Sequence, residues 1–171
     1  MKTTLLFWLF GLMCFFTHSQ SLMELDTTEY FDFWVGEWQV AWDEGNGVEV
    51  LGTNTIAKSL DDKVIIENFR ITRGKSAGFK GMSMSVYQKR FKRWKQVWSD
   101  NQGGYFDFTG AVDGDKRMFA TAVTEKNGKQ QQQRMVFYDI EENSMTWDWE
   151  KTEDGGKTWS LLWRIFYTRN D

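Results

Sequence analysis

An alternation of apolar and polar residues recurs about every dozen positions along most of this chain, and it limits the fold more than any other feature. From Trp34 onward the period is two. Trp34, Gly36, Trp38, Val40 and Trp42 fall on one face, and Glu37, Gln39 and Asp43 on the other. Successive side chains of a strand point to opposite sides of a sheet, so this pattern predicts a half-buried strand. Comparable runs follow at Val48 to Lys58, Val64 to Thr72, Gly81 to Tyr87, Trp94 to Ser99 and Tyr105 to Val112. Four more lie at Arg117 to Thr124, Arg134 to Ile140, Met145 to Glu150 and Thr158 to Thr168. The breaks carry turn chemistry: Glu44-Gly45-Asn46-Gly47, Asp61-Asp62, Gly103-Gly104, Asp113-Gly114-Asp115, Asn127-Gly128 and Asp154-Gly155-Gly156. Gly and Asn tolerate the positive φ that tight hairpins need.

Ten short strands with hairpin connections predict an all-β chain, an antiparallel up-and-down barrel that removes its edges by closing. A β-sandwich is the alternative, but the even spacing and the lack of long crossovers favour the barrel. Ahead of the strands, Asp26-Thr27-Thr28-Glu29 has the pattern of a capping box and predicts a helix of about two turns. Several strands have one apolar face. Trp94, Gln96 and Trp98 form one such set, Met145, Trp147 and Trp149 another, and Met82, Met84 and Val86 a third, set against Ser83, Ser85 and Tyr87. The run from Trp159 to Tyr167 is apolar on both faces. Its outer side, with Leu162 and Phe166, could meet the N-terminal helix or a second copy in a homodimer.

The first residues change how the composition is read. Lys2 precedes an apolar run from Leu5 to Phe16, and Thr17-His18-Ser19 offers small residues at −3 and −1 of a cut after Ser19. A signal peptide over residues 1–19 is therefore expected, with a single domain over 20–171 in a secreted or periplasmic protein. The run is too short for a spanning helix, and Leu12 and Met13 argue against lipidation at Cys14. Removing 19 of the 171 residues leaves 152 and takes away the only Cys and the only His, in a chain with no Pro. What remains excludes disulfides, thiolate nucleophiles, zinc sites built on His or Cys, the Ser-His-Asp mechanism and His-ligated haem. It carries 20 basic residues against 24 acidic ones, with no basic stripe, so a nucleic-acid partner is not expected. No second apolar stretch is long enough for a membrane span.

Gly36-Glu37-Trp38, on the first strand after a short helix, resembles the G-x-W signature of the calycin superfamily, the lipocalins and their relatives. Phe33-Trp34-Val35-Gly36-Glu37-Trp38, Trp94-Lys95-Gln96-Val97-Trp98-Ser99-Asp100-Asn101 and Asp154-Gly155-Gly156-Lys157-Thr158-Trp159, with the closing Tyr167-Thr168-Arg169, widen the likeness. Together they resemble a family of bacterial lipocalin-like domains of unknown function, over nearly all of the mature chain. The resemblance implies a calycin barrel in which Trp38 plugs the closed end and an Arg, either Arg164 or Arg169, packs over it. It brings no established activity, no catalytic residues and no known cofactor. A related ten-stranded branch, the nitrobindins, binds haem through a His that the mature chain lacks. A second likeness is smaller: Thr152 to Trp159 matches the Asp-box of sialidase-type propellers. It occurs once, and reads as a rigid turn.

Nine Trp in the mature chain exceed what a small core needs. Trp34, Trp38, Trp42 and Trp159 are expected in the core, and Trp98, Trp147 and Trp149 as the lining of a cavity. Glu67 is in phase with Ile65, Phe69 and Ile71; if that phase faces inward it is a buried acid needing a partner, with Arg134 or Arg164 as candidates. Asp100-Asn101-Gln102-Gly103-Gly104 is a plain turn or the rim of a pocket. Asp61-Asp62 and Asp113-Gly114-Asp115 lack the ligand count of a calcium loop, and no metal site is expected. The leading expectation is a binder of a small apolar or aromatic ligand, with Trp98, Trp147 and Trp149 as stacking surface and Glu67, Arg134 and Gln96 as polar candidates. The alternatives are carbohydrate recognition by exposed Trp and Tyr, and a carboxylate-dependent enzyme inside the barrel.

Overall fold

The computed structural model describes residues 26–45 and 47–169. The expected signal peptide and Asn46 of the first turn lie outside the described residues. The described residues form eleven strands: β1 Gly36–Asp43, β2 Glu49–Ser59, β3 Val64–Arg73, β4 Lys80–Gln88, β5 Arg93–Asp100, β6 Tyr105–Asp113, β7 Lys116–Ala120, β8 Thr124–Lys126, β9 Lys129–Tyr138, β10 Ser144–Thr152 and β11 Ser160–Thr168. Neighbours in sequence pair antiparallel from β1 to β7; β7 then pairs with β9, β9 with β10, and β10 with β11. β11 returns to β1 through Gln39↔Thr168, Val40↔Tyr167 and Ala41↔Phe166. Ten strands thus close into an antiparallel barrel, and the sandwich alternative falls.

The extra strand comes from the predicted run Arg117 to Thr124, which breaks in two. β7 stops at Ala120, and β8 pairs only with the start of β9, across the Asn127-Gly128 hairpin. The strand after that hairpin starts at Lys129 and takes in the four glutamines from Gln130 to Gln133.

The predicted N-terminal helix is two 3-10 turns instead, Thr27–Glu29 and Asp32–Trp34. Asp26 accepts from the backbone N–H of Thr28 at 2.8 Å, one residue short of capping-box geometry, so the turn stays tight. These turns drop Phe31 and Trp34 into one end of the barrel. Phe31 stacks on Phe119 with centroids 4.2 Å apart, and the Trp94 indole N–H donates to the carbonyl of Thr27.

One strand faces the opposite way from its predicted pattern. On β4, Met82 and Met84 are 53% and 46% exposed, while Ser83 and Ser85 are 2% and 0% exposed. The reason is what the neighbours place inside. Ser83 sits opposite Glu67 on β3 and Trp98 on β5, and Ser85 lies opposite Gln96. Small hydroxyls there leave room for large side chains and satisfy polar ones, at the cost of leaving two Met outside. On β11, Ile165 and Tyr167 are buried, and Leu161, Leu162 and Phe166 are exposed. No helix among the described residues is long and apolar enough to cross a membrane.

Candidate ligand cavity

The two ends of the barrel are built differently. At the end where β1 begins, Trp38 is buried and its indole N–H donates to the carbonyl of Trp34 at 2.8 Å. The Arg169 guanidinium lies 3.9 Å from the centre of the Trp38 ring and donates to the carbonyls of Phe33, Val35 and Glu142. Gly36 has φ +139°, and a Cβ there would collide with that guanidinium. Gly36, Trp38 and Arg169 therefore form one closed unit. Arg164, the other candidate for this position, faces outward, where it makes two 2.7 Å contacts with Asp148 on β10.

Toward the opposite end the interior opens into a cavity of about 180 Å³. Trp98, Trp147 and Trp149 line it, joined by Trp163, Phe69 and Phe106. Their rings meet mostly edge to face, as for Trp147 with Trp163 at 5.5 Å and 83°, and Phe108 with Trp149 at 5.9 Å and 89°. Edge-to-face contact sets a ring's positive rim against its neighbour's negative face. Gly81 makes the Trp98 position possible, because a Cβ at residue 81 would overlap the indole. Asp100 also lines the cavity. It accepts from the Trp98 indole N–H at 3.2 Å and from the backbone of Gln102 and Gly104. Burial would raise its carboxyl pKa, but these donors outweigh burial and hold it below the usual range.

The deep end of the cavity is polar. Glu67, 5% exposed, accepts from Asn54 at 2.7 Å and from the Ser83 hydroxyl at 2.6 Å. Asn54 also donates to the Tyr167 hydroxyl at 3.2 Å. Burial pushes the Glu67 carboxyl up to about 7, against the two hydrogen bonds that pull it down. Burial and the nearby Glu67 also raise the Tyr167 phenol well above its ordinary value, so it stays neutral.

The inward phase places Glu67 inside, but neither expected arginine reaches it. Arg134 is outside, where its Nε is 2.7 Å from Glu150 and its guanidinium is 3.8 Å from the centre of the Trp159 ring. Gln96 is buried yet forms no part of the cavity wall; it donates to Ser85 and its carbonyl oxygen has no partner. Asn54, Ser83, Trp163 and Tyr167 join the site without being among the expected residues. The inward phase of β11 could have revealed Trp163 and Tyr167. Asn54 and Ser83 depend on strand register, which hydrophobicity does not carry.

The Asp-box turn is a local clamp. Asp154 accepts from the backbone of Lys157 and Thr158 and from the Thr158 hydroxyl, and Trp159 donates to the Gly156 carbonyl at 3.1 Å. All nine Trp after residue 25 are buried or half-buried; the five half-buried ones are the four in the cavity wall and Trp159. No protein-family model matches the chain, and no curated protein does.

Proposed function

We propose that this protein binds a small apolar or aromatic ligand inside its barrel, with the body of the ligand among Trp98, Trp147, Trp149 and Trp163 and its polar end toward Glu67. The cavity carries this reading. A closed barrel of ten strands can be filled by its own side chains, and this one leaves about 180 Å³ beside a polar floor. A dry cavity of about 150 Å³ holds a benzene ring, so the space suits one ring with a short substituent. The closure of Trp38 by Arg169 supports the calycin-like part of the proposal, and the leader-like residues 1–19 support export. Titration with small aromatic probes, followed by indole emission, tests the binding reading. One-site saturation that weakens at least tenfold in Trp149→Ala is the expected result; no saturable binding from any neutral or charged probe rejects it. An intact mass that still includes residues 1–19 in protein recovered outside the cytoplasm rejects cleavage.

A second reading has its own observation. Glu67 and Asp100 line the same cavity with their affinities for protons pushed apart, raised for one and lowered for the other. Acid–base chemistry needs such a pair. Turnover lost equally in Glu67→Gln and Asp100→Asn would favour it, and a ligand released unchanged would reject it.

A further inference from the structure

The charges of the cavity are all of one sign. Among the described residues its only charged side chains are those of Glu67 and Asp100; no Lys or Arg lines it. Arg134 and Arg164 spend their charge outside on Glu150 and Asp148. A buried carboxylate is ordinarily paired with a cation, since burying the charge alone is expensive. Glu67 has only neutral donors, Asn54 and Ser83. Meanwhile the walls are lined by indole and phenyl rings, whose faces carry negative quadrupoles that attract positive charge, Trp most strongly.

We propose that the ligand is an organic monocation, an alkyl- or arylalkylammonium ion whose charged end sits against Glu67 and whose body lies among the indoles. This rests on the binding reading above and names the class of ligand. The cavity volume limits the body to about one ring and a short chain. Asp100 adds a second negative charge along the cavity wall, favouring the entry of a cation. An anionic ligand meets two carboxylates and no counter-charge. A neutral one leaves Glu67 without the partner its burial calls for.

The proposal sets a pH dependence. Around Glu67, β2 supplies Asn54, β4 supplies Ser83 and β11 supplies Tyr167, none of them charged near neutrality, and Asp100 on the same cavity stays ionised. Glu67 is the one cavity group that changes charge near pH 7. A cation binding the protonated form displaces that proton to solvent, so the cation's affinity rises with pH until Glu67 is ionised.

The test uses one body in three charge states: 2-phenylethylamine (protonated throughout pH 6–8), 2-phenylethanol and 3-phenylpropanoate, titrated calorimetrically into the whole protein. At pH 8 the amine is expected to bind at least tenfold tighter than the alcohol, with the acid weakest. Its affinity is expected to fall about tenfold from pH 8 to pH 6, as the ionised fraction of a group near pKa 7 does. Glu67→Gln should abolish the slope and leave only the smaller preference due to Asp100, while the alcohol still binds. If that variant does not fold, the charge series and pH profile of the unaltered protein still decide. Alcohol binding as tight as the amine, or acid binding tightest, overturns the cation and leaves the binding reading standing. Silence from all three, with neutral aromatic probes also silent, overturns both.

Discussion

The two ends of this barrel use the same aromatic residues to opposite effect. At the closed end, the indole N–H of Trp38 is bonded to Trp34, its face is covered by Arg169, and Phe31 fills the space behind Phe119. At the open end, Trp147 meets Trp163 edge to face, Trp149 meets Phe106 and Phe108 the same way, and Trp98 packs on Phe69 and Phe79, all around a space that the four Trp line. A Trp surrounded on all sides contributes to stability, whereas a Trp with one side empty contributes less and remains available to a ligand. The residue type does not distinguish these roles; the number of occupied sides does.

The sharpest way to break this contrast is a pair of truncations. Trp38→Ala is expected to cost about 3–5 kcal/mol in urea unfolding, as for other buried aromatic truncations. Trp149→Ala should cost about half as much, because part of its surface already faces empty space. Equal costs would show that the two ends are not different in kind.

The next effect is in pH. Glu67 has a carboxyl pKa of about 7 in the folded protein against an ordinary 4.5, so the folded state holds the proton more tightly than the unfolded chain. Its contribution is complete below pH 4.5 and disappears as pH rises through 7. By linkage that is a loss of about 3 kcal/mol between pH 4.5 and pH 8. Glu67→Gln should remove this slope from the denaturation midpoints measured across that range. A slope that survives the substitution would assign it to another group.

The smallest effect belongs to the outer surface. Arg134→Ala gives up a half-buried ion pair with Glu150 and a contact with the Trp159 ring, an expected loss of about 1 kcal/mol. Probe affinity should not move. A change in affinity would mean that the outer face and the cavity are coupled.

Much of this was legible before the structure. The strand positions follow from the period-two runs and their Gly, Asn and Asp breaks, and the closed barrel from their even spacing. The phase of Trp147 and Trp149 was legible too, from Met145 on the same face, and that of Trp98 from Trp94; the phase of Glu67 stayed open, although Ile65, Phe69 and Ile71 share it. The face of β4 was misread for a physical reason. Hydropathy sorts faces correctly when the interior is apolar, and the interior around Glu67 and Gln96 is not. There β4 turns Ser83 and Ser85 inward and Met82 and Met84 outward, reversing the expected pattern. The arginine assignments failed differently. Met135 and Phe137 already fix Arg134 on the outer face of β9, and Trp163 and Ile165 do the same for Arg164 on β11. The need of a buried acid for a counter-charge pointed the other way. The partners that Glu67 does have, Asn54 and Ser83, required knowing which residues stand beside one another on three strands.

The pairing of β11 with β1 joins residues near Val40 to residues near Tyr167. Contacts so far apart in sequence form late and slowly. During synthesis, a ribosome that has reached Trp159 has produced every strand but one, yet β1 and β10 are still bare edges that other chains could extend. Ile165 and Tyr167, which line the cavity, and Arg169, which caps Trp38, have not yet been made. The last ten described residues thus complete the ring, part of the cavity lining and the plug together, and a chain halted before Ser160 is expected to have none of the three.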